Sequence, residues 1–201
     1  MKLRSTPRIE FLRTLTAEIL HNYGRGRTIV AIDGADESER MHFADDLAAV
    51  LREDENRRVF RASLRDFQRS RAARGEFGAD TPEHHFRHGY DYAALRRVLV
   101  EPFRLGGSTG FVTEEFDSGR DEWIEPTWRT APPDALLVVD GEFANRPELR
   151  PLWSFSVLLE SDVTNPSDRF YLVEVGARRL VNALIDNADP VHPRRVFTDS
   201  C

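Results

Sequence analysis

At 201 residues and 23.1 kDa, the chain has the size of a single domain spanning 1–201, long enough to bury a substantial core. Its 40% hydrophobic and 31% charged residues are those of an ordinary globular protein, which excludes a disordered or membrane-embedded class. The net charge of −6 argues against a broad nucleic-acid-binding surface. Cys201 is the only cysteine, so no intrachain disulfide framework exists. The opening MKLRSTPRIEF has basic residues but no following apolar run, and no stretch approaches the roughly 20 apolar residues of a membrane span. The expected location is the cytoplasm, with no membrane partner and no nucleic acid.

Taken in chain order, Phe11, Leu12, Leu15, Ile19, Leu20 and Tyr23 recur at three- and four-residue steps, which predicts an amphipathic helix over 7–23 closed by Gly24. Thr28–Ile32 is a short β-branched run, as expected of a central parallel strand. Phe43, Leu47, Val50 and Leu51 form the apolar stripe of a second helix. Val59–Leu64 reads as a strand, Asp66–Arg74 as a basic, solvated helix, and 75–90 as loop.

Tyr92, Leu95, Val98, Leu99 and Pro102 mark a further helix ended by Gly106-Gly107. Gly110–Phe116 and Trp123–Trp128 are read as short strands. After Pro132-Pro133 come a buried strand at Ala135–Val139 and another at Ser154–Glu160. A helix over Phe170–Leu180 and a last strand at Asn182–Asp186 complete the pattern. Strands alternating with helices predict an α/β fold with a mainly parallel sheet.

The centre of the chain is 28–43, TIVAIDGADESERMHF. Strand, turn at Gly34 and helix are the frame of a loop whose backbone N–H groups cradle phosphates. The full pattern G-x-x-x-x-G-K-[ST], started at Gly34, asks for Gly, Lys and Ser/Thr where Glu39, Arg40 and Met41 stand. Asp36, Glu37 and Glu39 bring three carboxylates to the same place. A pair of unit charges ~5 Å apart repels by about 3 kcal/mol at an effective dielectric near 20. A helix N-terminus offers only about 0.3–1 kcal/mol of attraction. The spacing Asp36-x-x-Glu39 suits a capping box, so the loop is expected to fill its own anion site.

Five stretches in order carry a resemblance: TIVAIDG, SLRDFQRSRAARG, HGYDYAALRRVLVEPFRLGG, ALLVVDGEFANRPELRPLW and ALIDNADPVHP. Together they resemble the uridine kinase-like branch of the P-loop nucleoside kinases. The resemblance implies a three-layer P-loop NTPase-type sandwich around a five-stranded parallel sheet. It also implies Mg2+-dependent transfer of the ATP γ-phosphoryl to a nucleoside or related small-molecule hydroxyl.

On that resemblance the nucleotide-binding candidates are Gly34, Ser38, Arg40, Met41 and Arg169, with Arg40 at the lysine position and Met41 at the Mg2+-ligating hydroxyl. The catalytic candidates are Asp66 and Asp140. Arg65 occupies the position of the expected base, one residue before Asp66, and Asp140 is the carboxylate expected to reach Mg2+ or, alternatively, to cap a turn. Arg65 and Asp91 are substrate-binding candidates. The lid region, 161–169, is shorter than the family implies.

Other constellations have plainer readings. His84, His85 and His88, with Asp91, have the spacing for Zn2+ but read as a polar loop. Arg65, Arg69, Arg71 and Arg74 read as a solvated face, and Trp123, Trp128 and Trp153 as packing residues. Ser38 has no His and Asp/Glu arrangement for nucleophilic work. Three function classes follow: an impaired or inactive kinase relative kept for binding; an active small-molecule kinase gripping phosphate through Arg40, Asp66 and Asp140; and a nucleotide-free partner-binding domain. ATP and Mg2+ are cofactors only if the protein is active. Substrate and oligomeric state stay open.

Overall fold

The computed structural model describes residues 2–53, 57–79, 81–161 and 165–197. Helix α1 spans Pro7–Tyr23; the Thr6 hydroxyl accepts the Ile9 amide at its start, and Leu12, Leu15 and Ile19 are buried. Strand β1 covers Thr28–Gly34 and α2 covers Glu37–Leu51. Strand β2 is Val59–Ser63, followed by a 3-10 turn at Leu64–Phe67. Three helices follow: α3 (Arg71–Gly75), α4 (Pro82–His88) and α5 (Tyr92–Ala94). A π-helical stretch, Leu95–Val100, joins α5 to α6 (Glu101–Leu105). The π stretch ends just before Pro102, which has no N–H for a regular helical bond. Gly106 stops α6 at φ 73°, in the left-handed region that favours glycine.

Strands β3 (Phe116–Asp117) and β4 (Glu122–Trp123) pair as a small antiparallel hairpin. The main sheet is completed by β5 (Leu136–Asp140), β6 (Phe155–Glu160), β7 (Ala183–Asp186) and β8 (Arg194–Val196), with α7 (Pro166–Val175) between β6 and β7. Its strand order is β2-β5-β1-β6-β7-β8, parallel up to β7 and antiparallel at β8.

Side chains alternate across a strand, so β1 feeds two cores. Val30 and Ile32 face α1 and α2, packing with Leu12, Ile19, Phe43, Leu47 and Val138. Ile29 and Ala31 face the opposite layer, where Phe103, Phe111, Phe143 and Tyr171 lie. Helices on both faces explain why β1 and β5 are continuous apolar runs. This is the expected three-layer sandwich.

Several expectations need correction. The sheet has a sixth strand, β8, unseen in the sequence because it is a short, basic edge with no apolar run. The helix expected over Asp66–Arg74 is split into a 3-10 turn and α3. The 75–90 stretch contains α4, started by the Thr81 hydroxyl accepting the His84 amide and by Pro82 at the first turn. Between 110 and 128, regular pairing is limited to β3 and β4, with a single bridge from Phe111 to Arg129. The last helix begins at Pro166, capped by Asn165, and stops at Gly176 before a 3-10 turn at Ala177–Arg179. Trp153 packs as expected, its indole donating to the Ala144 carbonyl, whereas Trp123 and Trp128 are largely exposed. Among the described residues no helix is long and apolar enough to cross a membrane. Cys201 lies outside the described residues.

Candidate functional site

The candidate site sits at the C-terminal ends of β1, β5 and β6, where an open α/β sheet offers its crevice. Only Ala35 and Asp36 separate the end of β1 from the start of α2. Asp36 caps that helix: its carboxylate accepts the Glu39 amide at 2.8 Å and its carbonyl accepts the Arg40 amide at 3.0 Å. Half of the expected capping box is therefore present. The other half is not, because the Glu39 carboxylate turns toward the Asn187 amide at 3.4 Å.

Arg40 is 5% exposed. Its guanidinium folds inward and donates to the Gly34 carbonyl. Its charge also acts on the carboxylates of Asp33, Glu142 and Asp168, favouring their ionised forms. Met41 points instead toward solvent and a second cleft. Ser38 is exposed on the first turn of α2, 3.4 Å from His42 Nδ1, with no carboxylate completing a nucleophilic set.

Beneath the loop lies a buried polar network that sequence reasoning missed. The Asp33 carboxylate accepts from the Gly34 amide (2.8 Å), the Asn145 amide (2.9 Å), the Asn145 side chain (3.0 Å) and the Tyr171 phenol. Burial pushes the Asp33 carboxyl up, opposed by those donors. Next to it, Glu142 accepts from His85 Nε2 and the Tyr90 phenol. Burial raises the Glu142 carboxyl, but His85, Tyr90 and Arg40 outweigh it and the net shift is downward. The sequence signals were faint: an Asp closing an apolar strand, the run DGEFAN after β5, and the i,i+3 pair Asp168 and Tyr171.

The two catalytic candidates lie in different settings. Asp140 is buried, and its oxygens are held by Arg61 Nη2 at 2.9 Å and Ser63 Oγ at 3.2 Å. Arg61 also grips Asp45 of α2 at 2.8 Å. Asp66 lines a cleft of about 380 Å3 with Met41, Arg65, Glu114, Phe116 and Asp117. Burial, then Glu114 and Asp140, push its carboxyl up to about 6. Arg65 spans the cleft edge, bonded to Glu37 at 2.6 Å and Ser118 at 2.7 Å. The structure thus brings Arg65, Asp66 and Met41 to one cleft, whereas Gly34 and Arg40 are joined to each other by the buried guanidinium–carbonyl bond.

The remaining candidates stand apart. Asp91 caps α5, accepting the Ala94 amide at 2.9 Å. Arg169 is exposed on α7, and 162–164 of the expected lid lie outside the described residues. The three histidines diverge: His84 meets the Arg74 carbonyl, His85 meets Glu142, and His88 stacks on Phe77 with centroids 4.3 Å apart. Among the described residues no three His, Cys, Asp or Glu converge to hold a metal. The donor set does not fit Mg2+ either, since Met41 offers a thioether and Asp140 is already paired with a guanidinium.

No protein-family model and no curated protein matches the sequence. Solved structures do. A chain described as a possible uridine kinase from Bacillus stearothermophilus is similar at TM-score 0.72 and 23% identity, over 89% of this chain and 97% of that one. One from Silicibacter sp. TM1040, provisionally described as a fructose transport system kinase, is similar at TM-score 0.61 and 19% identity, over 90% and 86%. D-glycerate 3-kinase from Cryptococcus neoformans var. grubii is similar at TM-score 0.50 and 12% identity, over 86% of each chain. The chain has a P-loop kinase-like fold.

Proposed function

We propose that this protein is a kinase-fold member whose phosphate site is filled by its own side chains, so that it binds ATP weakly and transfers no phosphoryl group. The observation that carries this reading is Arg40. At the position of the phosphate-neutralising lysine, it is buried and its guanidinium donates to the Gly34 carbonyl, while its charge acts on the nearby Asp33, Glu142 and Asp168. A guanidinium so engaged has no compact charge to offer a triphosphate. Asp36 adds a carboxylate at the helix N-terminus where an incoming anion would sit. Arg65 adds a cation, bound to Glu37, where a base is needed. On this reading the fold is kept for binding a small molecule or a regulatory partner, as one domain in the cytoplasm, with no nucleic acid involved.

A second reading is favoured by the Asp66 cleft. A carboxyl lifted to about 6 beside Phe116 and Met41 has the protonation behaviour of a general base. An active kinase would use Asp66 there, take ATP with any Mg2+ carried by the nucleotide rather than by Met41 or Asp140, and accept a small hydroxyl compound.

A thermal-shift and product assay separates the two. The purified chain is heated with and without millimolar Mg-ATP, and incubated with a panel of nucleosides, fructose and glycerate. The first reading expects little stabilisation and no phosphorylated product. Stabilisation of about 2.7 kcal/mol at a hundredfold excess over Kd, with product, would establish the second.

A further inference from the structure

Asp168 stands on the first turn of α7 and is 2% exposed. Its Oδ2 makes no hydrogen bond among the described residues. It lines a cavity of about 20 Å3, shared with Asp33, Gly34, Ala35 and Tyr171, which is room for roughly one water. Charged groups face it from every element packed there. Asp33 comes from β1, Glu142 from the segment after β5, Arg40 from α2 and His85 from α4. Glu160, at the end of β6, is paired at 2.7 Å with Arg178, and both line the same cavity.

We propose that Asp168 is a proton-controlled latch: in its neutral form it lets α7 stay docked against the loop after β1, and in its ionised form its unpaired charge loosens that helix. An ionised Asp168 would be a third carboxylate beside Asp33 and Glu142, yet Arg40 is already bonded to Gly34 and His85 to Glu142. A neutral carboxyl adds no charge to that cluster. Burial first, then Glu142 and Asp33, raise the Asp168 carboxyl to about 7, with Arg40 and His85 opposing.

The sign follows from linkage. The docked helix holds a proton that the released helix sheds near the ordinary value of 3.8. Docking therefore weakens as pH rises from about 4 through about 7, and changes no further above that. Tyr171, one turn along, ties the same helix to Asp33, so loosening uncovers the end of β1. The latch does not depend on whether the loop binds a nucleotide.

The test is amide hydrogen exchange of 166–175 relative to α1, at pH 6.0 and pH 8.5, corrected for intrinsic rates. Protection of α7 should fall about tenfold between the two in the wild type, from the linkage relation. Asp168→Asn, neutral at both pH values, should abolish the fall. Unchanged wild-type protection, or an equal fall in the Asn variant, would overturn the proposal. Should that variant not fold, carboxyl NMR titration of the wild type decides: a midpoint above about 6 supports the latch, and one near 4 overturns it.

Discussion

The Tyr171 phenol donates to the Asp33 carboxylate, joining α7 to the end of β1 across 138 positions of chain. The ring itself packs on Phe143 with centroids 5.2 Å apart and on Phe86 at 5.9 Å. Tyr171→Phe would keep that packing and remove only the O–H. Asp33 would retain its three other donors from Gly34 and Asn145. The expected loss is about 1–3 kcal/mol, read as a lower urea midpoint with an unchanged slope.

The Arg40 charge acts on three buried carboxyls, those of Asp33, Glu142 and Asp168. Arg40→Met would leave those carboxylates buried with less compensation. Losing the charged hydrogen bond to the Gly34 carbonyl costs about 1.5–3 kcal/mol, and the lost attraction adds to it. The cost should be larger at pH 8 than at pH 5, because the Asp168 carboxyl, lifted to about 7, is neutral at the lower pH. Chemical denaturation of both proteins at both pH values measures the difference.

Asp66 gives a prediction of opposite sign. Its folded carboxyl is raised to about 6 by burial, Glu114 and Asp140, so its ionisation lowers stability as pH rises from about 4 to about 6. Asp66→Asn cannot ionise. The variant should be more stable than the wild type at pH 8 and equal to it at pH 4. If the protein is an active kinase using Asp66 as base, the same variant would also lose product formation, which ties one substitution to both readings.

Repair of the loop tests whether the phosphate site was lost there alone. Changing Asp36→Gly, Glu39→Gly, Arg40→Lys and Met41→Thr removes the cap, restores the cradle pattern and supplies a hydroxyl. Glycine at the cap position costs only a few tenths of a kcal/mol. Calorimetry should then show Mg-ATP binding tightened by at least about tenfold, equivalent to about 1.4 kcal/mol. Turnover should remain absent while Arg65 stands at the base position, paired with Glu37.

Local pattern was enough for the elements that carry strong periodicity. Helix α1 falls on the expected 7–23, and β1, β5 and β6 lie where the apolar runs put them. The elements that were missed are held by features no apolar count reveals. Strand β8 is a basic edge, with Arg195 anchored to Glu18 of α1 at 2.9 Å. Helix α4 depends on the Thr81 cap and on Phe86 meeting Phe143 and Phe170 from elsewhere in the chain.

The site divides in the same way. From the sequence alone came the α/β class, the ordered motifs of a P-loop kinase-like fold, and the presence of Glu39, Arg40 and Met41 in place of Gly, Lys and a hydroxyl. Charge identity is a local property and can be read residue by residue. What surrounds Arg40 is not local. Its guanidinium folds onto the Gly34 carbonyl, but the Glu142 and Asp168 carboxyls that its charge acts on lie more than a hundred positions away in the chain. The buried Asp33, Asn145 and Tyr171 network was likewise invisible, because each residue is ordinary alone and the bonds that join them span more than a hundred positions between Asp33 and the other two. Tertiary structure decided that the cation in the loop is buried on the Gly34 carbonyl with the protein's own carboxyls near it, and burial makes an unpaired charge far costlier than an exposed one.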